Sequence, residues 1–285
     1  MKLLILGANG MIGSAMMHSL LESDEYQVFG SIRNPKLALN HPFNSMARTI
    51  TDLDLSNPDH LSELFCIASP DMVINCAGLT KHHPMGNLPL PVLALNSMLP
   101  HRLAKLCEAT NSRLIHISTD CVFSGESGLY QEDDFPDARD IYGKSKCLGE
   151  VIGPNTVTLR TSTIGHEIGT KNGLLEWFLS QTKCSGYQKA IFSGLTTVEF
   201  AKVVRDYVIP NKDISGLYHV GATPIDKFSL LTLIAKVYGK EIQIIPDDTF
   251  KIDRSLNVKK FQNFTGYCPP SWDNLLSEMH SKCPS

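Results

Sequence analysis

The glycine-rich segment near the start of this 285-residue chain restricts its fold more than any other feature of the sequence. An apolar run at residues 2–6 leads directly into three glycines, and a helical pattern follows. Glycines at this spacing allow a tight turn and a close approach of the backbone to a pyrophosphate at the N-terminus of the helix. The segment therefore predicts a buried first strand and a dinucleotide-binding turn; the alternative is a helix-capping turn in another α/β protein. The residues expected to bind the cofactor here are Gly7, Asn9, Gly10, Met11, Ile12 and Gly13.

Short apolar segments alternate with helical patterns through the first half of the chain. Segments that are apolar throughout and separated by helices are typical of parallel strands that are buried on both faces of a sheet. The predicted fold class is α/β, with a Rossmann-type doubly wound parallel sheet. The predicted strands are residues 2–7, 27–32, 72–77, 113–118 and 156–161, and the predicted helices lie near residues 12–21, 58–68, 92–110 and 142–152. Pro100 should kink the third helix or mark its true start.

The pattern changes after about residue 165. Three helical patterns follow, with two short strands among them; the helices are predicted at residues 173–181, 196–209 and 226–239, and the strands at 216–221 and 241–246. We therefore predict an NAD(P)-binding Rossmann domain at residues 1–165 and a smaller α/β substrate-binding portion at residues 166–285, partly interleaved with the first.

Composition and charge exclude several classes of function. The formal net charge is −3, so the chain lacks the basic surface that nucleic acids or anionic membranes attract, and an anionic ligand must be held by backbone amides and a few placed cations. The eight cysteines contain no Cys-x-x-Cys pair, which indicates reduced thiols in a cytoplasmic protein and no structural zinc. The histidines show no metal-ligand spacing, so no metal is expected.

The end of the second predicted strand indicates which dinucleotide binds. It carries no Asp or Glu to hold the ribose 2'-hydroxyl of NAD, and it offers Ser31 and Arg33 instead. A guanidinium suits a 2'-phosphate, so NADPH is favoured over NADH. The alternative is that Arg33 is a solvated loop residue.

Two further groups of residues predict a reacting centre. Ser118, Thr119 and Asp120 end a predicted parallel strand, where ligands bind in open sheets, and Tyr142 and Lys146 lie four residues apart on one face of a predicted helix. A tyrosine with its ordinary pKa near 10 is a poor proton donor, and a neighbouring ammonium lowers that pKa towards neutrality. The hypothesis is that Tyr142 protonates the oxygen of a reduced ketone, Lys146 tunes it and binds the nicotinamide ribose, and Thr119 binds the carbonyl oxygen. The alternative for Thr119 is a capping role at the end of the strand.

These motifs carry a resemblance to known enzymes. The spacing Gly-x-x-Gly-x-x-Gly resembles the extended branch of the short-chain dehydrogenase/reductase superfamily. The phrases "VFSG", "YQEDD", "YGKSK-x-x-GE" and "LRTSTIG", with "DRSLNVKKFQNFTGYCPPSW" near the C-terminus, resemble the dTDP-4-dehydrorhamnose reductase-like family over most of the chain. Enzymes of that family reduce a 4-keto group on a nucleotide-linked deoxysugar with NAD(P)H.

The resemblance implies roles for further residues. Asp54 and Leu55 stand where the family contacts adenine, and Cys76, Ala77 and Gly78 stand where its chain passes the cofactor. Arg254 belongs to the late arginine motif that helps to hold the sugar nucleotide. The remaining residues expected to contact the substrate are Lys81, Ser118, Asp120 and Thr163. Lys81, His82 and His83 either contact substrate phosphates or are exposed loop residues.

Two departures from the family bear on the substrate and the reaction. Thr163 stands where the rhamnose enzymes carry a tryptophan beside the sugar, so the sugar pocket is expected to differ. Cys121 follows Asp120 where related dehydratases carry a glutamate, which argues against dehydration.

The resulting hypothesis is an NADPH-dependent reductase of a nucleoside-diphosphate 4-keto-(6-deoxy)sugar in polysaccharide precursor synthesis. Its partner is the nucleotide sugar, with no nucleic acid and no membrane; a homodimer is left open. The alternatives are an epimerase with tightly held NAD and a non-catalytic NADPH-binding regulatory subunit.

Overall fold

A computed structural model describes residues 1–34, 48–168 and 172–282. Its strands are β1 (Lys2–Leu6), β2 (Gln27–Ile32), β3 (Arg48–Thr51), β4 (Met72–Asn75), β5 (Arg113–Thr119), β6 (Thr156–Thr161), β7 (Thr163–Ile164), β8 (Lys183–Phe192), β9 (Leu195–Thr196), β10 (Gly216–His219), β11 (Ile225–Asp226) and β12 (Gln243–Asp253). Its α-helices are α1 (Met11–Leu21), α2 (Pro58–Ala68), α3 (Pro89–Val92), α4 (Leu99–Thr110), α5 (Ile141–Leu148), α6 (Leu174–Ser180), α7 (Thr197–Val203), α8 (Lys227–Val237), α9 (Lys259–Thr265) and α10 (Trp272–Ser281).

The large sheet has seven parallel strands in the order β3-β2-β1-β4-β5-β6-β10. Successive residues of β1 face opposite sides: Leu3 and Ile5 pack with α1, α7 and α10, whereas Leu4 and Leu6 pack with α2 and α4. Both faces are therefore covered, which is why the strand sequences are apolar throughout. The predicted doubly wound parallel α/β fold is confirmed.

The third helical region departs from regular α-helix. Between α3 and α4 the chain forms a π-helical stretch at Leu93–Met98, and Pro100 lies in the first turn of α4. A proline costs little there because the first N–H groups of a helix have no partner within it. Pro100 therefore does not mark the start of the helical region, which begins at Pro89; it lies where the π-helical stretch passes into α4.

The helix that carries Tyr142 is shorter than predicted. The prediction extended it to residue 152, but α5 ends at Leu148. Gly149 lies so close to the neighbouring π-helical stretch that a Cβ there would come within 1.9 Å of the Asn96 carbonyl oxygen. The chain turns away at this point, and Glu150 takes a buried position beside β6.

The later part of the chain contributes to more than one sheet. β10 extends the large sheet beside β6, whereas β8, β11 and β12 form a separate three-stranded sheet in the order β11-β8-β12, and β7 pairs with β9. The expected strands at residues 216–221 and 241–246 are found, and the second is longer than expected. The division after residue 165 stays a prediction. None of the described helices is long and apolar enough to cross a membrane.

A buried ion pair joins β6 to the chain beyond α5. The Arg160 guanidinium donates through Nε and Nη2 to the two carboxylate oxygens of Glu150, each at 2.8 Å, and both side chains are almost fully buried. Glu150 also accepts a 2.7 Å bond from the Ser118 hydroxyl at the end of β5. The same guanidinium lies over the Phe123 ring, with its carbon 5.0 Å from the ring centroid.

We expect Arg160→Met to lower the free energy of unfolding by about 3–5 kcal/mol, because it leaves the Glu150 carboxylate buried without its counter-charge. Urea denaturation measures the change. The control is Arg139→Met, which removes an exposed ion pair to Glu126 and should cost no more than about 1 kcal/mol. Equal costs for the two substitutions would contradict this account of the buried pair.

The start of α1 packs against the glycine turn without space for a side chain. A Cβ on Gly13 would lie 2.1 Å from the Gly7 carbonyl oxygen, whereas a Cβ on Gly10 would lie 3.3 Å from the same atom. Gly10 caps the helix with φ −75°, a conformation that any residue adopts. Only Gly13 is therefore fixed by the close contact between helix and turn.

Gly13→Ala should lower stability by about 1–3 kcal/mol, because the backbone of the turn must move and the gain in helix propensity offsets only part of the cost. Gly10→Ala is the matched control, with an expected cost below about 1 kcal/mol. Thermal and urea denaturation compare the two. A Gly13→Ala protein as stable as the wild type would show that the backbone of the turn moves at little cost in free energy.

Candidate active site

The glycine turn follows β1 and opens α1. Gly7 has φ +73°, the left-handed region that favours glycine, and its carbonyl accepts a 3.0 Å bond from the Gly10 N–H. The backbone of Gly7 also lies against the segment that follows β4, because a Cβ there would come within 3.0 Å of the Ala77 Cα. The Ala8 N–H donates to the Ser31 carbonyl at the end of β2, at 3.1 Å. The ends of three neighbouring strands thus meet around this turn.

A cavity of about 340 Å³ opens at these strand ends, and we call it the cofactor cavity. It brings together ten of the residues that the sequence predicted to bind the cofactor. They are Gly7, Asn9, Gly10, Ser31, Arg33, Asp54, Leu55, Cys76, Ala77 and Gly78. Further lining residues that the sequence analysis did not identify include Asn34, Leu53 and Leu95.

The two charged residues of the cofactor cavity differ in their surroundings. Asp54 accepts bonds from the Ser56 N–H at 2.9 Å and from its hydroxyl at 2.8 Å, and these bonds hold the pKa of Asp54 below its ordinary value. The Arg33 guanidinium is exposed, and its charge also contributes to lowering that pKa. Arg33 therefore stands at the mouth of the cavity, at the end of β2.

A second cavity, of about 360 Å³, lies beyond the ends of β5 and β6, and we call it the catalytic cavity. Met11 and Ile12 of the glycine turn reach this cavity rather than the first one. The predicted residues that it brings together are Lys81, Ser118, Thr119, Asp120, Tyr142 and Thr163. The candidate hydroxyl, phenol and sugar-contact residues therefore share one cavity next to α1.

Thr119 ends β5 and also caps the short 3-10 turn that follows it. Its hydroxyl accepts a 3.1 Å bond from the Cys121 N–H and donates to the Asp120 carboxylate at 3.1 Å. Capping had been the alternative interpretation of this residue, and the structure shows that capping and access to the cavity occur together. Burial raises the pKa of Asp120, and the charge of Arg254 opposes that rise.

Tyr142 and Lys146 are set by the packing of α5 against the end of β5. A Cβ on Gly143 would lie 2.1 Å from the Cys121 carbonyl oxygen, so this glycine allows the helix to approach. Lys146 is buried, and its ammonium donates to the Ile117 carbonyl at 2.6 Å. Burial lowers the pKa of Lys146 to about 8, while the charge of Glu150 opposes that effect.

The pKa of Tyr142 differs from the expected one. The sequence predicted that the neighbouring ammonium would lower it, but burial raises the pKa of Tyr142 above its ordinary value, and the hydrogen bond to Thr119 only partly offsets that rise. The phenol is therefore neutral, but in the protein without ligands it is a weaker acid than a free tyrosine, so the expected lowering of its pKa is not found. The cause of the difference is that burial removes water from around the phenolate, and the negative charges of Cys121, Asp120 and Asp140 raise the pKa in the same direction.

Two residues expected to contact the substrate have protein partners. The Ser118 hydroxyl donates to Glu150, as described above, and Arg254 donates through Nε to the Phe123 carbonyl at 2.8 Å, with Nη1 3.7 Å from the Cys121 sulfur. Their contact with substrate stays a prediction. The seven cysteines among the described residues are unpaired, and Cys283 lies outside those residues.

Two positions that the sequence analysis missed support or line the catalytic cavity. Asn96, in the π-helical stretch, accepts from the Leu79 N–H at 2.8 Å and donates to the Leu79 carbonyl at 2.9 Å and to the Ser145 hydroxyl at 3.1 Å. It thus ties the segment after β4 to α5. Lys227, the first residue of α8, lines the cavity itself. No local motif marks either residue, because only the tertiary fold brings them to the site.

A family model and individual relatives agree on the family to which this chain is similar. The family model described as "RmlD substrate binding domain" matches residues 1–283. The dTDP-4-dehydrorhamnose reductase of Aggregatibacter actinomycetemcomitans is 31% identical and aligns over 98% of both chains. A probable low-salt glycan biosynthesis reductase, Agl14 of Haloferax volcanii, is 30% identical over 78% of this chain and 76% of its own length.

A solved structure supports the fold assignment. The dTDP-4-dehydrorhamnose reductase of Bacillus anthracis, in complex with NADP, superposes with a TM-score of 0.80 over 99% of both chains, at 21% identity. The resemblance predicted from the motifs is confirmed, and the chain belongs to the RmlD substrate binding domain family.

Proposed function

We propose that the protein is an NADPH-dependent reductase of a keto group on a nucleotide-linked sugar. The observation that carries the proposal is the junction of the two cavities at the glycine turn, with Thr119 and Tyr142 on one side and Lys146 buried between β5 and α5. Relatives that are named dTDP-4-dehydrorhamnose reductase or glycan biosynthesis reductase support this reaction class. In this proposal the sugar is a 4-keto-6-deoxysugar. The enzyme acts in polysaccharide precursor synthesis in the cytoplasm and assembles as a homodimer.

The residues of the cofactor cavity fit a dinucleotide phosphate. Gly7 and Gly13 leave no room for a side chain, which keeps the turn close to β1 and its N–H groups at the N-terminus of α1. Arg33 and Ser31 stand at the end of β2, where a ribose 2'-phosphate would lie, and an NADP complex is known for a structural relative. When bound, the nicotinamide supplies the hydride.

The side chains of the catalytic cavity supply the rest of the chemistry. Thr119 would redirect its hydroxyl proton from the Asp120 carboxylate to the carbonyl oxygen of the sugar and so hold that oxygen. Tyr142, whose raised pKa keeps it protonated, donates its proton to that oxygen as negative charge develops there. Lys146 is held by the Ile117 carbonyl, and its charge acts on Cys76, which lines the cofactor cavity; in this proposal its remaining N–H groups bind the nicotinamide ribose.

The epimerase alternative uses the same tyrosine and lysine, so it is separated from the reductase by stoichiometry. A reductase consumes one NADPH for each sugar converted, whereas an epimerase consumes none and retains its cofactor through purification. Measuring NADPH oxidation with a panel of nucleotide-linked 4-keto sugars decides between them. Cofactor binding without turnover on any of these sugars would favour the regulatory alternative.

Tyr142→Phe should lower kcat by about 10²–10⁴-fold, because it removes the proton donor and leaves the packing of the ring in place. NADPH absorbance follows turnover, and fluorescence titration checks that NADPH still binds. Tyr187→Phe, on the partly exposed face of β8, is the matched control and should keep full activity. Full turnover by the Tyr142→Phe protein would end the assignment of Tyr142 as proton donor.

Arg33→Ala should raise the KM for NADPH about 10–100-fold, because a hydrogen bond to a charged group contributes about 1.5–3 kcal/mol. The KM for NADH should stay unchanged, which makes NADH the internal control. Steady-state kinetics with both cofactors measures the difference. An equal rise for both cofactors would place Arg33 elsewhere than at the 2'-phosphate.

A further inference from the structure

Lys227 is a cation of the catalytic cavity that forms no ion pair with any described residue. It is the first residue of α8, and its ammonium lies 4.2 Å from the centroid of the Phe192 ring. Among residues 1–34, 48–168 and 172–282 it makes no hydrogen bond, and no carboxylate oxygen lies within 4.0 Å of its nitrogen. The titratable groups that act on it electrostatically are Asp120, Cys121 and Lys81, and burial lowers the pKa of Lys227 to about 8.

A purely structural role does not explain a lysine in this place. The N-terminus of a helix carries partial positive charge, so a cation in the first turn of α8 is unfavourable there. Asp226 already caps this helix by accepting from the Ser229 N–H at 2.8 Å and from the Ser229 hydroxyl at 2.7 Å. The contact with Phe192 offsets part of the cost of burying an ammonium, but an anion in the cavity would offset far more.

The charges around Lys227 favour an anionic ligand. Lys81 lines the same cavity and acts electrostatically on Lys227, and the Asp120 carboxylate lies near the charges of both Lys227 and Arg254. Glu167 also lines the cavity, but its carboxylate accepts bonds from the N–H groups of Asn172 and Gly173, at 2.7 and 3.0 Å.

We propose that Lys227, assisted by Lys81, binds the diphosphate of the sugar nucleotide and thereby sets the position of the sugar. This inference rests on the proposed function, since it takes a nucleotide sugar as the substrate. In a 4-keto sugar nucleotide the diphosphate is attached across the ring from the carbonyl carbon. An ammonium that holds the diphosphate therefore fixes the distance at which the carbonyl oxygen meets Thr119 and Tyr142.

Binding of nucleoside diphosphates to the NADPH-loaded protein tests the proposal without any turnover. Calorimetry measures the affinities for dTDP and UDP. For whichever of the two the wild type binds, Lys227→Met should lower the affinity about 10–100-fold, which corresponds to the loss of one charge-assisted contact. Lys236→Met is the matched control, because this exposed lysine lies near the other end of α8. Unchanged NADPH affinity in both variants shows that the fold is intact.

The charge-preserving variant Lys227→Arg gives a measurement that would not change if Lys227 had only a structural role. Because the free ammonium has a pKa of about 8, wild-type affinity for the diphosphate should fall as pH rises above 8, when the group must first take up a proton. Lys227→Arg should restore binding relative to Lys227→Met and lose this part of the pH dependence. Lys146 also has a pKa of about 8, but it is present in every variant, so its contribution to the pH dependence cancels in the comparison.

The outcomes separate this inference from the function on which it rests. Equal diphosphate affinity in the wild type and the Lys227→Met protein would overturn the role of Lys227 while leaving the nucleotide-sugar reductase in place. If the wild type binds neither dTDP nor UDP, the proposed substrate class and the role of Lys227 are both overturned. Weaker diphosphate binding in Lys227→Met alone, with Lys227→Arg rescuing it, supports the proposal.

Discussion

The packing of α5 on the end of β5 is the contact on which the candidate site depends. Gly143 lets the helix approach the Cys121 carbonyl, and the Lys146 ammonium joins the two elements through the Ile117 carbonyl. Ser145, on the opposite side of α5, accepts from Asn96 and thereby joins the helix to the segment after β4. These contacts hold the α5 backbone directly after Tyr142, and the catalytic cavity that Tyr142 lines is present in the protein without ligands. Such preorganisation is what proton transfer to a developing oxyanion requires.

Burial rather than neighbouring charge dominates the electrostatics of this site. It raises the pKa of Tyr142 and lowers the pKa values of Lys146 and Lys227, so each group is pushed towards its neutral form. Tyr142 is thus a neutral phenol and a weaker acid than a free tyrosine, so its proton moves only as negative charge develops on the ketone oxygen. The two ammonium groups, by contrast, gain from anionic or hydrogen-bonding oxygens of a ligand, because such partners restore what desolvation removes. The same burial therefore keeps Tyr142 neutral and favours the binding of ligands to the two ammonium groups.

The sequence predicted those parts of the structure that leave a local pattern. β1 is buried over most of its length and is recognised as an apolar run, and the glycine turn is recognised by its spacing. β8 was missed because alternate residues of this strand face solvent and several are polar. The end of α5 was misplaced because a contact with a distant carbonyl, not a local signal, stops it at Gly149. The raised pKa of Tyr142 could not be anticipated either, since proximity in sequence indicates charge but not depth.

The two parts of the chain contribute different chemistry to the catalytic cavity. β1, β2, β5 and α5 carry the residues proposed to serve the hydride and proton transfers, and all of them lie before residue 150. Lys227 of α8 lines the cavity from the later part of the chain and Lys81 from the earlier part, while Arg254 follows β12 and lies beside Cys121. Thr163 lines the same cavity, and its contact with the sugar stays a prediction. Changes in these later elements can alter which sugar nucleotide fits without disturbing Thr119 or Tyr142, because the packing of α5 on β5 does not involve them.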